Sequence, residues 1–326
     1  MERIHKRWPN RVDPIGIRRL PINLVILALM LLSAANARGS EFGVSTYRPG
    51  LMDLFAGYLA PPGTTLEKTY FLFQDASETA APEHSQLRIH SHTITYTAAS
   101  FAAHVTRLRL LGSYWAFGVI AQTRLAQQTL RIGPVGTPGI RQNATVGGFG
   151  DLIVSPFMLS WAFGHLHLSS SLMLYAPTGS YDPHRIINIG TNRWAVEPDF
   201  GLTWFDEESG SHASLFVGYT INSKNTASHY LSGQEFHADF VLAQHLRRSW
   251  ILGVAGYALQ QTTPDSGSGA VLGAFKGRVL ALGPLIGKTI VVHGLPINLC
   301  FKYDFEFASQ NRSSGNELWL TAALRF

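Results

Sequence analysis

The chain has a single cysteine, Cys300, among its 326 residues. An intramolecular disulfide and any zinc cluster built on cysteines are therefore excluded. Charge is also sparse: Asp, Glu, Lys and Arg make up 14% of the residues against 46% hydrophobic ones, a balance foreign to disordered and coiled-coil chains. Long apolar runs are almost missing. A bundle of membrane helices needs several stretches of about 18 apolar residues or more, and none occurs beyond the N-terminus. A mean hydropathy near zero then requires apolar and polar residues to be interleaved.

The one apolar stretch, Leu20 to Leu32, follows Arg11, Arg18 and Arg19 and precedes Ala35-Asn36-Ala37. A basic region, a short apolar region and a small-residue cleavage site together predict an export signal over residues 1–37. Those residues hold six Lys/Arg and two Asp/Glu, so about four of the five net positive charges belong to the signal. The remainder is nearly neutral, with no basic patch to neutralise phosphates, and nucleic acid is not expected as a partner. No cofactor is expected either. Gly283-Pro284-Leu285-Ile286-Gly287-Lys288-Thr289 has one residue too few between its glycines for a phosphate loop, and no strand-to-helix setting.

Residues 38–64 are turn-rich, with Pro49-Gly50, Gly57 and Pro61-Pro62-Gly63. They read as a segment folded into a lumen or as a mobile tail. From residue 65 to 326 the sequence falls into segments of about ten residues with period-2 alternation, separated by Gly, Asn, Ser, Asp and Pro clusters. Strands are predicted over 65–75, 86–108, 114–129, 150–161, 165–176, 194–205, 211–221, 234–246, 250–261, 275–287, 296–307 and 316–326. The fold class implied is all-β: a transmembrane antiparallel β-barrel of about twelve strands, an even number as bacterial barrels have.

Alternation is clearest over 296–307, where Leu299, Phe301, Tyr303, Phe305 and Phe307 share one face and Cys300, Lys302, Asp304 and Glu306 the other. The last strand places Leu318, Leu320, Ala322, Leu324 and Phe326 outward, with Glu317, Trp319, Thr321, Ala323 and Arg325 inward. Phe236, Ala238, Phe240 and Leu242 likewise oppose Glu235, His237 and Asp239. A soluble sandwich alternates too. Strand length near ten residues, and aromatics near segment ends such as Tyr175, Trp204, Tyr219, Trp250 and Tyr257, favour a membrane barrel with interfacial girdles. The connections expected after odd strands, 76–85, 130–149, 177–193, 222–233, 262–274 and 308–315, are long, whereas 109–113, 162–164, 206–210, 247–249 and 288–295 are short. Long loops outside and short turns inside put both termini in the periplasm of a Gram-negative cell.

The candidate lumen-lining residues are Glu197, Asp199, Glu235, His237, Asp239, Arg278, Lys302, Asp304, Glu306, Glu317 and Arg325. Buried ions demand partners, so these should pair across strands, filling the lumen or lining a narrow path. His167 and Ser169, two apart on a strand with His165, share a face as the base and nucleophile of a lipid or ester hydrolase would; no oxyanion donor can be assigned to them. His90 and His92 have the same spacing, but no third metal ligand is identifiable, and they read as polar lining.

Five stretches carry a family resemblance: Gly148-Phe149-Gly150-Asp151; Pro177, Thr178, Gly179, Tyr181 and Asp182 leading to Asn188, Gly190, Asn192 and Trp194; Tyr219 with Asn222, Asn225, Tyr230 and Gly233; Tyr257 with Gln261, Thr263 and Asp265; and Gly277-Arg278 leading to Gly283-Pro284. Most lie at turns, where Gly, Asn and Pro meet special backbone needs. In order and spacing the chain resembles the outer-membrane transporter family of the meta-pathway of phenol degradation. The resemblance implies an outer-membrane barrel passing small hydrophobic or aromatic molecules, and brings no catalytic residues. A passive uptake channel is the expected function, with a hydrolase or a structural, adhesive barrel as alternatives. The expected partners are outer-membrane lipids and lipopolysaccharide, a small-molecule substrate, and the barrel-assembly machinery, through the terminal strand ending on Phe326.

Overall fold

In the computed structural model, residues 41, 44–80, 87–271 and 273–326 are described; the expected export signal lies outside them. Thirteen strands follow one another: β1 (Thr65–Ala80), β2 (Leu87–Leu110), β3 (Ser113–Pro134), β4 (Ile140–Phe149), β5 (Leu152–Phe163), β6 (Leu166–Ala176), β7 (Ala195–Asp206), β8 (Ser211–Asn222), β9 (Glu235–Leu246), β10 (Trp250–Gln261), β11 (Arg278–Val292), β12 (Leu295–Gln310) and β13 (Ser314–Arg325). Each pairs antiparallel with its neighbours, and β1 pairs β13 over residues 66–77, so the sheet closes on itself. Closure pairs the strands all the way round the ring, the condition for spanning a bilayer with strands; only β4, paired with β3 alone, keeps a free edge where it extends beyond β5. β3 pairs β4 through residues 123–132 and β5 through residues 116–120, so β4 and β5 form one stave, interrupted at Gly150-Asp151. The barrel therefore has twelve staves.

β4 corrects the expected connection over 130–149, most of which is a β3–β4 hairpin. β4 alternates only between exposed and half-buried positions: Ala144 and Val146 face inward and pack on Ala126, Ile187 and Ile189. Gln142 and Gly148 on the same face interrupt the apolar period. Strands are also longer than expected at 288–295 and 308–315, where only 293–294 and 311–313 remain as connections. His293 and Gly294, with φ of 49° and 81°, make the two-residue turn whose twist matches the flanking strands.

Side-chain parity follows the pleat. Phe200, Leu202 and Trp204 on β7, Leu280, Leu282 and Ile286 on β11, and Leu299, Phe305 and Phe307 on β12 point outward and are exposed, giving an apolar band around the outside of the ring, as membrane barrels have. In β5 the register with β6 slips by one residue between Val154 and Phe157. Pro156 sits in that bulge, having no N–H for the ladder.

Candidate functional site

The lumen is lined by the charges that face inward on β7, β9, β12 and β13. Glu197, Asp199, Glu235, His237, Asp239, Lys302, Asp304 and Glu317 are all at most 3% exposed. Glu306 is half-buried and accepts hydrogen bonds from Tyr257 Oη (2.7 Å) and Gly315 N (2.8 Å). Arg325 is exposed and borders a cavity at the short-turn end. Arg278 departs from this set: it shares the outward parity of Leu280 and Leu282 and is exposed, while Val279 points inward. A bulge between residues 278 and 280 against β12 accompanies the change.

Tyr175 and Tyr257, expected in the girdles, are also inside, at 3% and 1% exposed, whereas Trp204 and Trp250 are outside. Tyr175 Oη donates to Glu197 (2.9 Å). Each phenol supplies a donor to an inward-facing carboxylate, Glu197 for Tyr175 and Glu306 for Tyr257, and this decides the side on which the ring packs.

Residues 44–60 cross the lumen and meet those charges. Tyr47 Oη donates to Asp239 (2.6 Å), and its ring stacks on His237 at 3.5 Å between centroids. Burial, then the Asp239 charge, push the Tyr47 phenol above its usual value, so it stays a donor. Arg48 pairs with Glu317 (2.6 Å), Asp53 with Lys68 (2.5 Å), and Lys302 Nζ donates to Gly50 O (2.5 Å). Lower down, Gly57 N donates to Thr203, and Ser160 and Ser169 donate to Gly57 O and Ala56 O (both 2.8 Å). The backbones nearly touch here. A Cβ on Gly201 would lie 2.2 Å from Ala56 O, and one on Gly57 2.3 Å from His167 O.

The long connections close over the top of this segment. Asp151 accepts hydrogen bonds from Gly179 N (2.9 Å), Thr191 N and Thr191 Oγ1 (both 2.7 Å), drawing Gly190 against Gly179 at the neck of the 177–194 loop. Thr178 Oγ1 accepts from Leu152 N beside Pro177, and Asp182 and Asn188 bond each other across the tip. Asn192 donates to Asn225, Asn225 to Glu41, Tyr181 to Glu41, and Asn222 to Gly233 O, while Tyr230 and Gly233 N both donate to Asp265. Burial, then Asp265, raise the Tyr230 phenol. Arg193, at 2% exposed, lies at the centre and donates to Thr46 and Val44 O.

Among the described residues, cavities lie beside the crossing segment, against β1–β3, β5 and β6 and, for the lower one, also against β12 and β13. The upper, about 120 Å³, has a mixed lining in which Gln122, Arg124 and Gln128 stand beside Leu72, Ile187 and Trp319. The lower, about 370 Å³, is lined mainly by apolar residues, among them Leu54, Phe101, Val105, Met158 and Cys300. Leu51, Tyr70, Ile120 and Ile153 line both, so the two meet at these residues.

A sequence profile of the family described as "Putative MetA-pathway of phenol degradation" matches residues 89–322. The chain belongs to this family. No curated protein matches it in sequence. Among solved structures, the COG4313 outer membrane channel from Pseudomonas putida F1 superposes with a TM-score of 0.61 at 16% identity, over 84% of this chain and 100% of the other. The transport unit of the autotransporter AIDA-I from Escherichia coli gives 0.41 at 8% identity, over 92% and 97%, too remote to bear on anything further. The first likeness concerns the fold, which is that of an outer-membrane channel.

In this member of the phenol-degradation family, the remaining sequence candidates have other duties. Ser169 donates to the backbone of Ala56, and the His167 ring stacks on Tyr58 at 3.7 Å, so the two do not form a nucleophile–base pair. His90 and His92 alternate with buried Ile89 and Ser91 and so face outward rather than lining the lumen; they bond Thr79 (3.0 Å) and Asp75 (2.7 Å) respectively. Arg193, Glu41, Arg48 and Asp53 were absent from the sequence candidates. Only their charge marks them, since none lies in an alternating segment.

Proposed function

We propose that this barrel is an outer-membrane channel for passive uptake of small hydrophobic or aromatic molecules, with the long connections outside the cell and both chain ends in the periplasm. One observation carries the reading: an upper cavity of mixed polar and apolar lining and an apolar lower one of about 370 Å³ meet at Leu51, Tyr70, Ile120 and Ile153, the lower within the size range of small-molecule sites. The upper cavity, with Gln122, Arg124 and Gln128 in its wall, receives solute from water, and the boundary between the two selects against hydrated ions, whose desolvation there is costly. Lipid and lipopolysaccharide cover the outward face, and the strand ending on Phe326 addresses the assembly machinery. Family membership supports the solute class.

Purified protein in liposomes tests this. Flux of a small aromatic should exceed that of empty vesicles; Leu51→Ala should raise it several-fold and Ile120→Trp should nearly stop it. Flux equal to the control, or indifferent to both substitutions, sinks the proposal.

A further inference from the structure

We infer that Glu197, Asp199 and His237 form a binding site for a divalent transition-metal ion of the Zn²⁺ class in the middle of the lumen. The pleat dictates the grouping: Glu197 and Asp199 are two apart on one face of β7, and His237 projects from β9 into the same interior. One donor atom from each lies within 4.8 Å of the others, and all three residues are fully buried. His237 Nε2 stands 3.3 Å from Glu197 Oε1, close to the ~3.4 Å between two ligands of a tetrahedral ion with bonds of about 2.1 Å.

Three further observations point to a ligand. Asp199 Oδ1 and His237 Nδ1 have no hydrogen-bond partner despite complete burial, and His237 Nε2 makes only its 3.3 Å approach to Glu197, a state costly for polar groups unless something occupies the site. The outer supports of a metal site are in place: Tyr175 and Thr220 donate to Glu197, and Ser171 donates to Asp199 Oδ2 (3.3 Å), as hydrogen-bonded ligand carboxylates require. Space is also kept open. A Cβ on Gly218 would lie 2.2 Å from His237 Nε2 and 2.5 Å from Asp199 Oδ1, so any larger residue would collide with both donors.

Charge argues the same way. Asp239 adds a third buried carboxylate beside His237 on the same face of β9, while Lys302 serves Asp304 and Gly50 O, and Arg48 serves Glu317. A mixed imidazole and carboxylate set suits Zn²⁺ and its neighbours better than Ca²⁺, which takes six to eight oxygens. Three protein ligands leave the fourth position to water. Because the Tyr47 ring lies flat on His237, an ion here would also fasten the segment that crosses the lumen.

The test is to refold the purified full chain in detergent after chelator treatment, with and without Zn²⁺ alone, and to measure bound metal, affinity and thermal midpoint. One Zn²⁺ per chain, a raised midpoint, and at least tenfold weaker binding in Asp199→Asn and His237→Gln are expected, with Co²⁺ giving the visible absorption of a tetrahedral site. The variant lacking both His90 and His92 should bind as tightly as the parent chain. Substoichiometric metal in the parent chain, or affinity unchanged in Asp199→Asn, overturns the inference; a proton shared by the two carboxyl groups then neutralises the pair. The Co²⁺ spectrum and stoichiometry of the parent chain decide the matter if a variant does not fold.

Discussion

Arg48 illustrates how single residues hold this lumen closed. Its guanidinium lies 2.6 Å from Glu317, a carboxylate that also accepts from Gln74 and Trp319 (both 3.1 Å) and is 1% exposed. Glu317 is the buried member of the pair, Arg48 being partly exposed, so removing Arg48 leaves a buried carboxylate without its cation. Arg48→Met should therefore loosen the crossing segment while leaving the barrel assembled. Cys300, the only thiol, lines the lower cavity and reports this: its reaction with a small maleimide should quicken several-fold, and an unchanged rate would contradict the assigned role. At this scale the sequence was readable wherever parity was unbroken, as for Glu197, Asp199, Glu235, Asp239, Lys302 and Asp304. Parity failed at Arg278, beside a bulge against β12. Aromatic type failed for Tyr175 and Tyr257, since a tyrosine at a strand end suits an interface or an inward carboxylate equally well.

Among elements, the loop over 177–194 depends most visibly on one side chain. Three hydrogen bonds to Asp151 gather its neck at Gly179 and Thr191. Asp151→Ala removes all of them, each worth about 1–3 kcal/mol where a charged acceptor is involved, and should free the tip. Arg185 is well exposed there, so limited trypsin should cut after it at least tenfold faster than in the parent chain. Cleavage at the parental rate would show that the neck is held by other contacts. The loop's Gly, Asn and Pro residues were legible as turn formers, but their partners were not, because Asp151, Asn225 and Glu41 are brought together only by closure. β4 was missed for a related reason: its inward face mixes Gln142 and Gly148 with Ala144 and Val146, and the residues these pack on, Ile187 and Ile189, come from the 177–194 loop.

For the whole molecule, the barrel and its contents are separable. The strands pair all around the ring, whereas residues 44–60 contribute side-chain and short backbone contacts rather than a strand of the wall. Deleting residues 44–60 should leave a heat-modifiable barrel whose single-channel conductance rises several-fold. An unaltered conductance would mean that the segment does not obstruct the path.

The sequence by itself determined the wall apart from β4. Period-2 alternation and turn residues specify which faces meet lipid and lumen, because a one-residue slip would move every apolar side chain to the wrong side. What only the tertiary structure decided is how the interior is filled. Residues 44–60 carry no periodicity, since their bonds run to side chains scattered over β1, β5, β6, β7, β9, β12 and β13. Contacts between residues up to 269 positions apart leave no local pattern in the chain, and the path beside them exists only once the ring has closed.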